Sequence, residues 1–174
     1  LSYDFFTEEE LERILPNFNQ KSFKKKELLL QAGTLSQEVY FIHQGCVRSF
    51  LVDYEGKEHS ILFGTEGYWM GDLQCFVKGT LASYSYQAIE PTEVYAIKKT
   101  AWDQLMDAEA SFQKYVGILF RNALITQQER IVELFTLSAE ERYKKLGKSR
   151  RDLLKRVPQK HLASYIGITP EFLS

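Results

Sequence analysis

The sequence predicts an α+β fold: an antiparallel, jelly-roll-like β-roll, then a long helix, then an incomplete, winged-type helix-turn-helix. Three observations carry this expectation. Period-two stretches rich in β-branched and aromatic residues recur between Lys21 and Lys99, with turn residues about every ten positions. From Ala110 to Phe135 a helical pattern runs without proline and with a single glycine. Pro158 to Ser174 combines helical spacing, a turn glycine and the start of a second helix.

Taken in order, Thr7-Glu8-Glu9-Glu10 is a capping box, followed by Leu11, Ile14 and Leu15 on one helical face, and this helix ends by Pro16. Glu38 to Ile42, Val47 to Val52, Ser60 to Phe63 and Glu93 to Ile97 read as strands, separated by turns such as Gln44-Gly45 and Asp53 to Gly56. Thr100 is the expected N-cap of a short helix reaching Asp107. The long helix that follows spans roughly 39 Å, more than a cover for a small β-roll requires. It carries two apolar stripes, one of Phe112, Val116, Leu119 and Ala123, the other of Tyr115, Phe120, Leu124, Ile131 and Phe135. One stripe can pack on the β-roll and the other on a second copy, and we assign Phe112, Val116, Leu119 and Ala123 to the dimer face. Ser138 caps a further helix through Leu146. The expected division is a β-roll over 1–109, the long helix over 110–137 and a C-terminal unit over 138–174.

A chain of 174 residues with 44% hydrophobic and 26% charged residues has the makings of a folded core, which excludes a disordered or collagen-like chain. Its net charge of -1 conceals an asymmetry. Residues 1–137 hold 13 Lys and Arg against 19 Asp and Glu, a net of -6, whereas residues 138–174 hold 9 against 4, a net of +5. Cys46 and Cys75 lack CxxC spacing and fit reduced thiols in a cytoplasmic protein, with no metal or redox motif. No segment approaches the roughly 20 apolar residues of a membrane span, and no signal peptide is legible. The chain opens without Met and stops inside what reads as a helix, so a longer polypeptide is expected.

The C-terminal stretch is the most specific. Leu162 and Ile166 lie one turn apart on a buried face, Ala163 is small where a second helix must cross, and Gly167 falls where the turn requires a positive φ. Ile168 fills the space between the helices. Thr169 is a good N-cap and Pro170 a good first residue for the next helix. In a helix-turn-helix the second helix enters the major groove, which places Thr169, Pro170, Glu171 and Ser174 on the DNA side. Glu171 could accept from cytosine N4. Lys160 and the basic run Lys148, Arg150, Arg151, Lys155 and Arg156 could neutralise phosphates. An αα-hairpin used only for packing is the alternative.

The segments Val39 to Arg48 with Gly45 at the turn, Gly71-Asp72, Val94 to Ile97 and Pro158 to Leu173 occur here in an order that resembles the Crp/Fnr family of bacterial transcription regulators. The resemblance covers essentially the whole chain. It implies a cyclic-nucleotide-binding-like sensor roll, a dimerisation helix and a winged helix-turn-helix, with double-stranded DNA, a second copy and RNA polymerase as partners, no catalytic residue and no membrane association. In cyclic-AMP-responsive members a Gly-Glu pair grips the ribose and an Arg-Ser pair holds the phosphate. Here Gly71 and Asp72 match the first pair with a shorter acid, and Leu73 to Val77 would form the short helix behind it. Ala82-Ser83 replaces the second pair, so the phosphate-binding guanidinium is missing, at a cost on the order of 2–5 kcal/mol, thirtyfold or more in affinity.

Lys78 would reach the pocket only if its loop folded back. Cyclic AMP is therefore disfavoured. Gln127 and Gln128, where the family contacts the base, leave either another small-molecule effector or none. Residues 1–45 hold no cysteine for an iron-sulfur cluster, and His43, His59 and His161 are too scattered for haem ligation. A cupin-like metalloenzyme would need clustered His where only His43 and His59 stand, and a cyclic-nucleotide module controlling a channel or kinase would not need the helix-turn-helix.

Overall fold

A computed structural model describes residues 5–168. Among them, eight strands form two four-stranded antiparallel sheets. The first has the order β1 (Phe18–Phe23), β8 (Thr92–Lys98), β3 (Glu38–Gln44), β6 (Trp69–Met70), and the second the order β2 (Leu28–Leu30), β7 (Ser85–Ala88), β4 (Val47–Val52), β5 (Glu58–Gly64). The register pairs Val39 with Ile97 across β3 and β8, and Arg48 with Phe63 across β4 and β5. Alternation along the strands sends Tyr40, Ile42, Val94 and Ala96 from one sheet and Val47, Tyr86 and Ala88 from the other into a shared core. The expected antiparallel roll is present, and the four anticipated strands are β3, β4, β5 and β8.

The opposite face of each sheet is also covered by helices. Helices α1 (Glu8–Ile14), α3 (Lys99–Ala108) and the start of α4 (Ala110–Thr136) cover the first sheet. Helices α5 (Ala139–Ser149), α6 (Arg151–Arg156) and α7 (Gln159–Ile166) cover the second, where Cys46, Phe63 and Ile89 of the roll meet Leu146, Leu153, Val157, Leu162 and Ile166. Both capping boxes form: Thr7 accepts from the Glu10 amide as Glu10 accepts from Thr7, and Ser138 and Glu141 do the same at α5. Thr100 is not the cap of α3. The helix begins at Lys99 directly from β8, with Lys98 at the cap position and no side-chain capping bond, so Thr100 lies inside the first turn.

The stripe assigned to the dimer face instead anchors α4 on the roll through its first two members. Phe112 is 0% and Val116 3% exposed, packed within the same chain, so neither can form a dimer face. Trp102 is the hub there, with edge-to-face contacts to Phe112 at 5.2 Å, Trp69 at 5.5 Å and Phe76 at 5.7 Å. Tyr115 belongs to the same anchor, its hydroxyl accepting the Trp69 indole N–H at 2.9 Å. Leu119 is half-buried and Ala123 exposed. The exposed large apolar residues of α4 are Phe120, Leu124, Ile125, Ile131, Val132, Leu134 and Phe135, with Leu124 60% and Phe135 87% exposed.

Candidate functional site

The pocket residues anticipated in the roll are brought together. Gly71 follows β6 and backs onto β3 so closely that a Cβ would stand 2.7 Å from Val39 Cγ1, which keeps side chains out of this position. Asp72 is 4% exposed and caps α2 (Leu73–Lys78): its Oδ1 accepts from the Cys75 amide at 3.0 Å. Its Oδ2 accepts from the Ser83 amide at 2.7 Å and the Tyr84 amide at 3.3 Å. The acid therefore takes up the backbone donors next to Ala82, and among the described residues no cationic side chain pairs with it. Ala82 is buried in the inter-sheet core, held by backbone bonds to Gly33 and Thr34. Leu73 and Ser83 are exposed at the rim. Lys78 stands at the far end of α2 from Asp72.

Gln127 and Gln128 do not join this cluster within the chain. Both are exposed on α4 well past the two turns that pack on the roll, and neither bonds to a cluster residue among those described. Replacing Asp72 with Ala is expected to lower the unfolding free energy by about 2–4 kcal/mol, from the lost cap and two orphaned amides. Urea denaturation checks this, and a change below 1 kcal/mol would contradict it.

The C-terminal unit is built as the spacing predicts up to the limit of the described residues. Leu162, Ala163 and Ile166 are buried, and Gly167 ends α7 at φ 83°, ψ 38°, a left-handed conformation natural to glycine. Arg142 of α5 ties off this end, donating to the Ile166 carbonyl at 3.1 Å and the Leu137 carbonyl at 2.6 Å. Thr169, Pro170, Glu171 and Ser174, the residues assigned to base contacts, lie outside the described residues. Lys148, Arg151, Lys155 and Lys160 are exposed.

Arg150 and Arg156 are not free for phosphate. Arg150 reaches the roll, donating to the Tyr68 hydroxyl at 2.9 Å and Thr65 Oγ1 at 3.1 Å, with its guanidinium over the Tyr68 ring. Arg156 donates to both oxygens of Glu66 at 2.8 and 2.7 Å and to Glu90 Oε1 at 2.9 Å. The Arg156 guanidinium holds the Glu66 carboxyl down to about 2, and the two acids raise the Arg156 pKa above its usual value. The charge pattern identified both arginines as basic but not what neutralises them.

Four further residues join the roll to the C-terminal unit, Arg48, His161, Ser164 and Arg130, and no spacing in the sequence points to this role. Arg48, 1% exposed on β4, donates to Glu58 at 2.7 Å, Gln87 at 3.1 Å and His161 Nδ1 at 2.5 Å, and lies over the Phe50 ring. Accepting at Nδ1 makes His161 a neutral imidazole with its proton on Nε2. Burial, with Arg48 and Lys160 nearby, lowers its pKa to about 4. Ser164 covers the open edge of β5, accepting from the Ser60 amide at 2.9 Å and donating to the Glu58 carbonyl at 3.1 Å. Arg130 of α4 donates to the Ile61 and Tyr165 carbonyls.

The other histidines are separate: His43 packs on Tyr95 and His59 bonds to Asp53 at 2.6 Å. Cys46 and Cys75 are buried free thiols, and burial pushes Cys46 up to about 12. Among the described residues no helix is long and apolar enough to cross a membrane.

The cyclic nucleotide-binding domain family model matches residues 20–109. Regulatory protein HlyX of Actinobacillus pleuropneumoniae is 24% identical over 166 residues, covering 89% of this chain and 68% of its own length. The anaerobic regulatory protein of Aggregatibacter actinomycetemcomitans is 25% identical over 166 residues, covering 89% of this chain and 64% of its own length. The chain thus spans about two thirds of these relatives. The crystal structure of the Thermus thermophilus catabolite activator protein superposes with a TM-score of 0.64 at 22% identity, over 95% of this chain and 79% of that one.

Proposed function

The chain belongs to the cyclic nucleotide-binding domain family, as a Crp/Fnr-type regulator, and from this premise we propose that it is a dimeric, sequence-specific DNA-binding regulator of transcription. The observation that carries this reading is the basic C-terminal unit, in which α7 ends on a left-handed Gly167 at the helix-turn-helix spacing. Thr169, Pro170, Glu171 and Ser174 read the bases, and the exposed Lys148, Arg151, Lys155 and Lys160 take phosphates. The protein acts in the bacterial cytoplasm, and RNA polymerase is the partner through which bound DNA is read out.

Dimerisation uses the exposed side of α4. Phe120, Leu124, Ile131 and Leu134 follow one another at spacings of four, seven and three, with Gln127 in the gap, which is the 3.5-residue seam of paired helices. A polar residue at one seam position suits a fixed register.

The roll does not take cyclic AMP or cyclic GMP. Ala82 offers no guanidinium, and the Asp72 carboxylate already holds the Ser83 and Tyr84 amides where an anion would need them. A ligand at 100 times its Kd stabilises by about 2.7 kcal/mol. Either nucleotide at millimolar concentration is therefore expected to leave Tm unchanged, and a rise of several degrees would contradict this.

Titrating the full-length protein with a mixed-sequence duplex at several salt concentrations tests the DNA-binding reading. Log K should fall linearly with log salt, by about 0.9 for each phosphate neutralised. Absence of salt-dependent binding would refute the reading.

A further inference from the structure

The arginines withdrawn from the basic surface carry an inference that rests on the DNA-binding reading and goes beyond it. We propose that Glu66 and Glu90 act as an internal substitute for DNA phosphate, clamping Arg156 so that the C-terminal unit is held against the roll in a state of weak DNA affinity. Glu66 sits in the turn after β5 and Glu90 in the turn after β7, two separate loops that converge on one guanidinium. The two acids present oxygens on the Nε edge and on the Nη pair, the same planar donor set with which Arg grips a phosphate. One guanidinium cannot serve both partners at full strength, so phosphate and the acid pair compete for it.

The clamp is not isolated. Glu66 Oε1 also accepts the Gly45 amide at 2.8 Å, a hold on the carboxylate that does not involve Arg156. Arg150 is held on Tyr68 and Thr65 of the same turn, so two of the cations in the basic run face the roll. A second line of contacts, Arg48 to His161 and Ser164 to the β5 edge, keeps α7 on the same sheet. Glu66 and Glu90 remain partly open to solvent, with side chains 46% and 30% exposed. Such an ion pair is modest in strength and exchangeable, as a switch requires.

The test replaces both acids with isosteric amides, Glu66→Gln and Glu90→Gln, in the full-length protein. Two exposed acids of the roll, Glu12→Gln and Glu55→Gln, give a control with the same change in net charge. Two readouts are taken: hydrogen exchange of the β5 segment, whose Ser60 amide is covered by Ser164, and affinity for a mixed-sequence duplex across salt. The clamp predicts faster β5 exchange, tighter duplex binding, and a log-log salt slope steeper by about 1.8 than in the control, one further phosphate from each protomer of the dimer. Unchanged exchange would show that the acids do not hold the unit down and would overturn the clamp. Faster exchange with equal or weaker DNA binding would overturn its inhibitory role. Failure of both wild type and variants to bind duplex would overturn the DNA-binding reading itself, with exchange still reporting whether the acids hold the unit.

Discussion

Replacing Phe112 with Ala is expected to destabilise the chain by about 3–5 kcal/mol, the range for removing a fully buried aromatic ring. The ring is 0% exposed and lies edge-on to Trp102, which also receives Trp69 and Phe76. Removing it opens a cavity where three elements meet and weakens the hold of α4 on the roll. For a chain of this size the loss corresponds to a Tm drop on the order of 10 °C. Differential scanning calorimetry reads it directly. A drop of 1–2 °C would place Phe112 outside the core, and a fall to monomer without loss of stability would restore it to the dimer face.

The complementary expectation concerns the other stripe. Leu124→Glu combined with Ile131→Glu should convert dimer to monomer while leaving thermal stability within a few degrees, because both side chains are largely exposed in the chain. Two half-sites bound by a linked pair exceed either alone by on the order of 10²–10⁴ in affinity, so binding to a two-half-site duplex should fall by that factor. Light scattering and a duplex titration on the same sample decide it. A persistent dimer would refute the seam through Phe120, Leu124, Ile131 and Leu134.

These two variants mark where the sequence alone was ambiguous. Both stripes of α4 are apolar at helical spacing, so periodicity does not tell which of them packs on the roll; Trp102 and Trp69 decide that, and they reach the helix only in three dimensions. The strands that read clearly, such as Val47 to Val52, are rich in β-branched and aromatic residues. By contrast, β1 (Phe-Asn-Gln-Lys-Ser-Phe) and β7 (Ser-Tyr-Gln-Ala) are defined by pairing with β8 and β4 rather than by local preference. Gly167 and the two capping boxes were legible because their chemistry is local.

Long-range polar partners were not legible. Glu66 and Glu90 lie 90 and 66 residues before the Arg156 they hold, and no spacing rule joins them. Arg48 does carry a local signal: it interrupts an otherwise apolar and hydroxyl run, Val47 to Val52, and a lone guanidinium in a buried strand requires partners. The pocket shows the reverse case. The missing Arg at Ala82 could be read directly, whereas the use of Asp72 as a backbone acceptor for Ser83 and Tyr84 emerged only from the fold of the loop.

The central claim is that two copies of this chain read a two-fold symmetric DNA site. Selection from a randomised duplex pool with the full-length protein tests it most directly. The expected result is an enriched pseudo-palindrome whose half-sites stand about 34 Å apart, one helical turn, bound by a dimer. Recovery of no sequence motif, or of a single half-site bound by one protomer, would contradict it.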